Sequence, residues 1–365
     1  MTVPHMNYAH GMVIGKFYPP HAGHQHLIDT AAQACARLTV IVAGSTVENI
    51  PLALRAAWLR EAHPQPHVEI VPVVDDHEID YGSDDAWTAH VAAFRSGLPG
   101  DAAPVDAVFS SEPYGPELAR RFSAVHVPVD PPRARFPVSG TAIRDDPIAH
   151  WHRLAPPVRG HLARRIVIVG AESTGTTTLA RALAEHYARR WPATRCVPEY
   201  GRIYTEEKLA AARRAANDPA LWLDDLTWEP RDFTLIAERH LALEEAAARS
   251  GSPVLVCDTD AFATALWYER YLGEPAPDGF PLHTGRHHLW ILTDPSDVPF
   301  EQDGWRDGES VRQWMHTRFR DELEARNLPH LTVTGSPETR LATAATAVEA
   351  LLEKGWAFTA PLTPP

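Results

Sequence analysis

Residues 12–24 read MVIGKFYPPHAGH, a short apolar run followed by a loop that contains prolines, glycines and two histidines. The apolar run predicts a buried strand, and apolar residues recur at helical spacing from Leu27 to Cys35, directly after the loop. A strand, a loop and a helix in this order place the loop at the carboxyl end of a strand and at a helix N-terminus. Backbone amides and the helix dipole favour an anion there. The stretch therefore predicts an α/β fold with a ligand site at this loop.

The alternation of short apolar runs and helical patterns continues through the whole chain. Five strands are predicted in the first half, at residues 12–14, 38–43, 68–74, 105–110 and 124–129. The helices between them are predicted at residues 24–36, 52–62, 84–95 and 115–122. The second half has strand candidates at residues 165–169, 195–198, 254–257, 288–292 and 331–333, each followed by a helical stretch, the last at 338–353. Strands that alternate with helices predict parallel sheets covered on both faces.

Length and a helix-breaking segment divide the chain into two domains. The chain has 365 residues. A typical domain has about 150 residues, so this length predicts two domains. Residues 154–164 read LAPPVRGHLAR, in which two prolines and a glycine interrupt helix. We therefore predict one domain over residues 1–155 and a second over residues 165–365.

Composition excludes several classes of protein. The net charge is −13 and the sequence pI is about 5.8, so there is no basic surface for nucleic acid or an anionic membrane. No apolar run approaches the roughly 18 residues of a membrane span, and the first residues lack the pattern of a signal peptide. The three cysteines are far apart, with no CxxC pair, which favours reduced, buried thiols. We predict a cytoplasmic protein without membrane insertion, and the sequence leaves its oligomeric state open, a homo-oligomer included.

The loop of residues 15–24 carries candidate chemistry for the first domain. Gly15 permits close approach of the backbone to a ligand, and Gly23 lets the chain pass near a nucleotide. His21 and His24 can both donate hydrogen bonds to phosphate oxygens. A lone histidine is more often structural, but the whole pattern at a strand–helix junction favours a nucleotide site.

A second segment of the first domain, residues 138–144, reads VSGTAIR and again leads from a loop into a helix. Ser139 and Thr141 can cap the helix and donate hydrogen bonds, and Arg144 offers a planar fork for phosphates. Alone, the segment is explained by a helix cap. Its position after the fifth strand of the same domain favours a further phosphate contact.

Residues 165–178 of the second domain read RIVIVGAESTGTTT, a strand, two glycines with P-loop spacing and the start of a helix. The lysine expected after the second glycine is missing, because Thr176 stands there. Thr177 occupies the position of the hydroxyl that would bind Mg²⁺. Loss of one preorganised donor costs on the order of 3–4 kcal/mol in a transition state. Either another cation replaces the lysine, or a kinase built on this loop is weak or inactive.

Four further positions of the second domain are candidates. Asp258 and Asp260 end a strand, and their spacing suits one carboxylate near Mg²⁺ and another near an attacking hydroxyl, although a strand-end turn also explains them. Glu199 follows another strand and can bind ribose hydroxyls. Arg306 lies in a glycine-flanked segment, residues 303–308, which predicts a lid that carries an arginine over the phosphates.

Together, the HxGH of residues 21–24 and the SxTxxR of residues 139–144 resemble the nucleotidyltransferase superfamily. GKFYPPHAGH and FSSEPYG (residues 109–115) look most like the nicotinamide mononucleotide (NMN) adenylyltransferase half of the bifunctional NadR proteins. Residues 165–355 resemble the ribosylnicotinamide kinase half of the same proteins. The resemblance implies a Rossmann-like nucleotidyltransferase domain followed by a P-loop kinase-like domain. Some members carry an N-terminal helix-turn-helix repressor domain, for which a first strand near residue 11 leaves no room here.

The activity that the resemblance implies is NAD biosynthesis in two steps. The second domain would phosphorylate nicotinamide riboside with ATP, giving NMN. The phosphate of NMN would then attack the α-phosphorus of ATP in the first domain, giving NAD and pyrophosphate. ATP, NMN, nicotinamide riboside and NAD are the implied ligands, and Mg²⁺ is the implied cofactor.

Carried over by motif, the resemblance also assigns residues. In the first domain His24 would stabilise the transferring phosphoryl group beside His21, while Lys16 and Arg144 would hold the phosphates. Trp87 would stack on nicotinamide, although a core tryptophan is the simpler interpretation. The other ATP contacts there would be Gly15, Phe17, Gly23, Ser139 and Thr141. Those of the second domain would be Gly170, Glu172, Ser173, Thr174, Gly175, Thr176, Thr177, Thr178 and Arg306. The metal ligands would be Thr177 and Asp258, the catalytic carboxylates Asp258 and Asp260, and the substrate contacts Glu199, Tyr200 and Arg202.

Two alternatives stay open. In the first, the adenylyltransferase is active and the P-loop domain only binds or senses nucleotide. Thr176 favours this alternative, whereas the retained Thr177, Asp258, Asp260 and Arg306 oppose it. In the second, the first domain uses another acceptor such as phosphopantetheine, which the pairing with this P-loop domain disfavours. The acidic stretch of residues 75–85 predicts a loop over a pocket or a solvated surface loop, and its charge favours NMN over nicotinic acid mononucleotide.

Overall fold

The computed structural model describes residues 8–100, 103–282, 284–296, 298–301, 309–360 and 362. The chain forms two compact units. The first contains the described residues up to Val158 and, in addition, those of the segment Trp356–Pro365. The second runs from Arg159 to Gly355. The C-terminal segment thus groups with the first unit and not, as predicted from the sequence, with the second domain.

The first unit is built on a five-stranded sheet with the order β3-β2-β1-β4-β5, in which every neighbouring pair is parallel. Its strands are β1 (Tyr8–Gly15), β2 (Cys35–Gly44), β3 (Val68–Val74), β4 (Ala107–Ser110) and β5 (Val125–Pro128). Its helices are α1 (Ala22–Ala34), α2 (Leu52–Ala62), α3 (Asp84–Ser96), α4 (Gly115–Phe122), α5 (Gly140–Asp145) and α6 (Pro156–Leu162), the last of which crosses the boundary between the units. The strand order reverses between β1 and β4, which is where ligands bind in sheets of this kind.

Both faces of the first sheet are covered. Val13 of β1 packs into a cluster with residues of α1 and α2, while Met12 and Ile14 pack on the opposite face with residues of α3 and α4. This explains why β1 is a continuous apolar run rather than an alternating one. The predicted helix at residues 24–36 ends earlier, at Ala34, because Cys35 already belongs to β2.

The second unit repeats the arrangement with a different order, β10-β9-β6-β8-β7, again with every pair parallel. Its strands are β6 (Arg164–Val169), β7 (Arg195–Val197), β8 (Val254–Asp258), β9 (Leu289–Thr293) and β10 (His330–Val333). Its helices are α7 (Thr176–Ala188), α8 (Tyr200–Ala216), α9 (Pro230–Ser250), α10 (Ala261–Leu272), α11 (Arg312–Ala325) and α12 (Pro337–Glu353). The two parallel sheets confirm the predicted α/β fold class.

The cysteines are free thiols: Cys35 and Cys257 are buried, and Cys196 is half-buried. Burial raises the pKa of Cys35 to about 12 and that of Cys196 to about 11, so neither is a nucleophile at neutral pH. A search of the described ranges finds no helix with the length and hydrophobicity that a membrane crossing requires.

Candidate active sites

A cavity of about 500 Å³ lies at the carboxyl ends of β1 and β4 in the first unit. Every first-domain residue that the sequence singled out lines it: Gly15, Lys16, Phe17, His21, Gly23, His24, Trp87, Ser139, Thr141 and Arg144. The acidic stretch also borders it, through Asp75, His77, Ile79, Asp80 and Tyr81. This stretch is therefore a loop beside a pocket.

The two histidines of the loop form one unit. His21 is the N-cap of α1, and its Nδ1 accepts a hydrogen bond from the backbone N–H of His24 at 3.3 Å. The two rings stack at 3.6 Å between centroids, and the ring of Phe17 meets His24 edge-on at 4.8 Å. Because Nδ1 of His21 is an acceptor, the proton of the neutral ring lies on Nε2. The backbone of His21 also forms an isolated antiparallel bridge with Leu154, which holds the turn in place.

Electrostatics keep both imidazoles neutral. Burial lowers the pKa of His21 to about 3, and the charges of Arg133 and His150 act in the same direction. Burial, His21 and Arg133 hold the pKa of His24 well below its usual range. At neutral pH the pair can therefore offer N–H donors to an anion, but no positive charge of its own.

Positive charge at the cavity comes from arginine and lysine side chains. Arg144 donates from Nη1 to the backbone carbonyl of Tyr18 at 2.8 Å and from Nη2 to Oγ1 of Thr141 at 3.1 Å. The hydroxyl of Ser139 accepts from the backbone N–H of Ala142 at 3.1 Å. SGTAIR is thus a helix cap, as its composition suggests, and the same turn orients Arg144 on the cavity wall.

Lys16 is positioned by residues that sequence reasoning missed. Its Nζ lies 3.2 Å from Oε1 of Glu48. Glu48 pairs in turn with Arg55 at 2.8 Å, and both side chains of that pair are fully buried. Arg55 donates to the backbone carbonyl of Lys16 at 2.7 Å, and its guanidinium lies 5.3 Å from the ring centre of Tyr18. A buried ion pair therefore supports the first residues of the loop from one side.

The C-terminal segment also reaches this loop. Asn49 donates from Nδ2 to the carbonyl of Ala357 at 2.6 Å, and its Oδ1 accepts from the N–H of Thr359 at 3.2 Å. The hydroxyl of Tyr18 donates to the carbonyl of Thr359 at 3.1 Å, and Lys16 Nζ donates to the carbonyl of Leu362 at 3.4 Å. Contacts between residues more than 300 positions apart leave no local signal in a sequence.

Trp87 has two roles in the structure. It belongs to the core cluster beneath the sheet, and its Nε1 donates to the carbonyl of Tyr81 at 3.2 Å. The guanidinium of Arg121 lies 5.3 Å from its ring centre. Tyr81 is the more accessible ring, 59% exposed, and it stacks on Tyr114 at 6.2 Å between centroids. Trp87 is thus a core residue that also lines the cavity, and its stacking on nicotinamide stays a prediction.

The second unit has a smaller cavity, of about 210 Å³, beside the P-loop. The predicted residues that line it are Gly170, Glu172, Ser173, Thr176, Thr177, Glu199, Arg202 and Asp258. Among the described residues, the lining does not include Thr174, Gly175, Thr178, Tyr200 or Asp260. Arg306 falls outside the described part of the chain.

Backbone conformation and contacts from two arginines fix the shape of the P-loop. Ser173 and Gly175 have positive φ, 58° and 84°, and Gly175 caps α7. Arg312 and Arg340 each donate at 2.7 Å to a carbonyl of the loop, of Ser173 and Thr174 respectively. These two arginines therefore hold the loop through its carbonyl oxygens.

Thr174 and Thr178 do not line the second cavity, and their predicted contacts with ATP stay predictions. Thr174 is fully buried, and its hydroxyl is shared between the carbonyl of Ala171 and Oγ1 of Thr293, both at 2.6 Å. Thr178 is exposed on α7, away from the cavity lining. Thr178 follows Thr177 on α7, but only one face of a helix can line a site, whereas Thr174 lies in the loop before the helix.

The two carboxylates after β8 differ in environment. The hydroxyl of Thr177 donates to Asp258, whose pKa is raised by burial. Asp260 is the N-cap of α10: one oxygen accepts from the N–H of Ala263 at 2.8 Å and the other from Nε1 of Trp290 at 2.9 Å. Asp260 is fully buried and does not line the cavity, so these contacts give no support to its predicted place near an attacking hydroxyl. The alternative of a strand-end turn holds for this residue.

Glu199 and a group of aromatic residues line another part of the second cavity. Burial, followed by the charge of Asp258, raises the pKa of Glu199 to about 7. Trp228 lies 5.5 Å from Phe233 and 5.3 Å from Tyr271 between ring centroids, and all three line the cavity. Carboxylates facing aromatic rings suit a ligand that is both planar and cationic.

Fold and sites together define an α/β protein of two compact units, each with a cavity lined by loops that follow its parallel strands, the second beside a P-loop. Residues 165–340 match the protein-family model described as "AAA domain". The chain is 27% identical over 345 residues to the trifunctional NAD biosynthesis/regulator protein NadR of Escherichia coli (strain K12), covering 88% of this chain and 78% of that protein. It is also 27% identical over 319 residues to the protein of the same name from Salmonella typhimurium, covering 82% and 72%.

Two solved structures are similar along nearly the whole chain. A NadR protein in complex with NR has a TM-score of 0.66 at 22% identity and covers 96% of this chain and 97% of its own. A NadR protein in complex with NAD and AMP-PNP has a TM-score of 0.65 at 21% identity and covers 94% and 95%. The structural matches show a shared fold. With the sequence matches they confirm the predicted resemblance, and the chain is NadR-like.

Proposed function

We propose that this chain acts in NAD biosynthesis, with an NMN adenylyltransferase in the first domain and a ribosylnicotinamide kinase in the second. The observation that carries the proposal is the convergence of His21, His24, Lys16 and Arg144 on one cavity at the strand-order reversal. The relatives support it, because their names state NAD biosynthesis and the solved structures hold NR, NAD and AMP-PNP.

In the first reaction a phosphate oxygen of NMN attacks the α-phosphorus of ATP, and the bond to the β-phosphate oxygen breaks to release pyrophosphate. Such transfer depends on alignment and on stabilisation of negative charge. The neutral His21–His24 pair supplies N–H donors, and Lys16 and Arg144 supply the cations. With pKa values this low, the histidines act as donors rather than as proton acceptors for the transferred group.

In this proposal NMN, the acceptor of the adenylyl group, binds at the aromatic side of the first cavity. Tyr81, the most exposed ring there, can stack on a nicotinamide ring from one side. Trp87 supports Tyr81 through the hydrogen bond to its carbonyl and through a tilted ring contact at 6.0 Å. Trp87 would therefore hold Tyr81 in place and could also contact the nicotinamide ring itself.

The second reaction transfers the γ-phosphoryl group of ATP to the hydroxyl of nicotinamide riboside. Thr177 and Asp258 are joined by a hydrogen bond, which is the pairing that would hold the Mg²⁺ accompanying ATP. Asp258 is buried with a raised pKa, and a divalent ion would compensate its charge. The ion would neutralise charge on the transferred group, while the aromatic residues and Glu199 would hold the cationic nicotinamide ring.

Gly23 provides a test of the histidine pair. A Cβ at this position would lie 3.2 Å from both Cε1 and Nδ1 of His21, so the predicted role of passing near the nucleotide is secondary to making room for that ring. We expect Gly23→Ala to displace the ring and lower the rate of NAD formation about 10-fold, measured as pyrophosphate release. Gly100→Ala is the control, since a Cβ there meets nothing within 4 Å. Equal rates for the two variants would contradict this role of Gly23.

Glu199 predicts a pH dependence for the second site. Its pKa is raised to about 7, so the carboxyl is neutral below that pH and negative above it. Because nicotinamide riboside is cationic, its affinity for the second domain should rise as pH increases through about 7. Titration calorimetry across this range should show the rise in the wild type and its loss in Glu199→Gln. Glu185→Gln, on the exposed side of α7, should keep it. A slope that persists in Glu199→Gln would assign the effect to another group.

The second candidate function is an adenylyltransferase whose P-loop domain only binds nucleotide. Thr176, which lines the second cavity where a lysine is expected, favours it. Arg202 is the described arginine on the same cavity that could replace the lysine, and Arg306 stays a prediction. A protein that binds ATP but forms no ADP with nicotinamide riboside would establish this candidate. Partial gain of turnover in Thr176→Lys would favour the kinase.

A further inference from the structure

Three side chains on the wall of the first cavity form a cluster that neither proposed reaction uses. Asp75 follows β3, His77 lies two residues further on, and His90 projects from α3. Oδ1 of Asp75 is 2.9 Å from Nδ1 of His77, and Oδ2 is 2.7 Å from Nδ1 of His90. One ligand atom from each residue lies within 4.8 Å of the other two.

The ring of His90 lies between two hydrogen-bond acceptors. Its Nδ1 faces the carboxylate of Asp75, and its Nε2 is 3.0 Å from the carbonyl oxygen of Glu78. A neutral imidazole has one N–H only, so one of these contacts requires an additional positive charge, either a second proton or a metal ion. A carbonyl oxygen can only accept, and therefore the proton belongs on Nε2. Nδ1 is the atom whose partner can be exchanged.

We propose that Asp75, His77 and His90 bind a divalent transition-metal ion, with Zn²⁺ as the representative case, and that the ion displaces the proton on Nδ1 of His90. Two imidazole nitrogens and one carboxylate oxygen suit Zn²⁺, Co²⁺ or Ni²⁺ better than Mg²⁺ or Ca²⁺. The carbonyl of Glu78 fixes the tautomer of His90 that binds a metal, as partners of metal-bound histidines commonly do. Three protein ligands leave a position for water or for a polar group of a molecule in the cavity.

The test is metal binding by the full chain without substrates, after removal of bound metal with a chelator. Titration with Zn²⁺ should show saturable binding that weakens as pH falls, because protons compete with the metal for imidazole nitrogens. Co²⁺ bound in the same way should give a visible absorption spectrum typical of nitrogen and oxygen ligands. Neither measurement depends on turnover. A negative result would therefore contradict the metal site without bearing on the proposed reactions.

Single substitutions test whether the metal binds at this cluster and not at other histidines of the chain. His77 is half exposed, so His77→Ala should fold normally and weaken Zn²⁺ binding at least 10-fold. Asp75→Asn should act in the same direction. His152→Ala, on the surface of the same unit, should bind like the wild type. Binding that is absent in the wild type, or unchanged in both His77→Ala and Asp75→Asn, would overturn the proposal.

Discussion

Replacement of His24 by alanine is expected to lower the turnover of NAD formation from NMN and ATP by about 10²–10³-fold, the loss typical of a removed donor to a developing anion. His24 stacks on His21 at 3.6 Å and its burial keeps it neutral, so the substitution removes an N–H donor and leaves the local charge unchanged. The effect should fall on kcat more than on the KM for NMN, because the donor acts on the phosphorus that reacts. Initial rates of pyrophosphate release measure both.

The control for this prediction is His152→Ala, which removes an exposed imidazole from the same unit and should keep wild-type rates. Circular dichroism and thermal unfolding should be similar for both variants, since the backbone N–H of residue 24 can still donate to Nδ1 of His21. A folded His24→Ala protein with full turnover would remove this residue from the mechanism.

The second large effect concerns Asp258, whose replacement by asparagine should reduce riboside-dependent ADP formation by about 10²–10³-fold. The residue accepts from Thr177 and lines the second cavity, so a neutral side chain there removes the charge that would face the Mg²⁺ of ATP. Coupled ADP detection at saturating nicotinamide riboside measures the loss.

The neighbouring Asp260→Asn is the matched variant. Asparagine is an equally good N-cap, but its amide group cannot accept from both Ala263 and Trp290 as the carboxylate does. Loss of one buried hydrogen bond costs about 1–3 kcal/mol of stability, and turnover of the folded protein should stay near that of the wild type. If Asp260→Asn were as inactive as Asp258→Asn, the assignment of Asp260 as a cap would fail.

Much of the fold was predictable from sequence because the signals are local. The central strands β1, β2 and β4 contain continuous buried runs because both faces of the sheet are covered there. The position of the loop at residues 15–24 was predictable for the same reason. The order of strand, loop and helix determines which edge of the sheet the loop occupies. The grouping of His21, His24 and Arg144 on one cavity follows from that order.

What the sequence could not reveal depends on long-range contacts and burial. Glu48 and Arg55 look like surface charges in sequence, yet they form a fully buried pair under the loop. Asp258 and Asp260 look equivalent in sequence, and only the hydrogen bonds of Asp260 with the N–H of Ala263 and with Trp290 show that it is a buried helix cap. The acidic stretch looked like a source of negative charge near the acceptor, but Asp75 is paired with His77 and His90, so the expected preference for NMN loses part of its electrostatic basis.

The most direct test of the central claim is an assay of the purified chain with ATP-Mg²⁺ and NMN, nicotinamide riboside, or both, in which NAD, pyrophosphate and ADP are measured. With NMN, the first domain should form equal amounts of NAD and pyrophosphate without ADP. With nicotinamide riboside, ADP should appear first and NAD should follow it. Formation of no NAD from NMN and ATP, by a folded protein that binds both, would contradict the account.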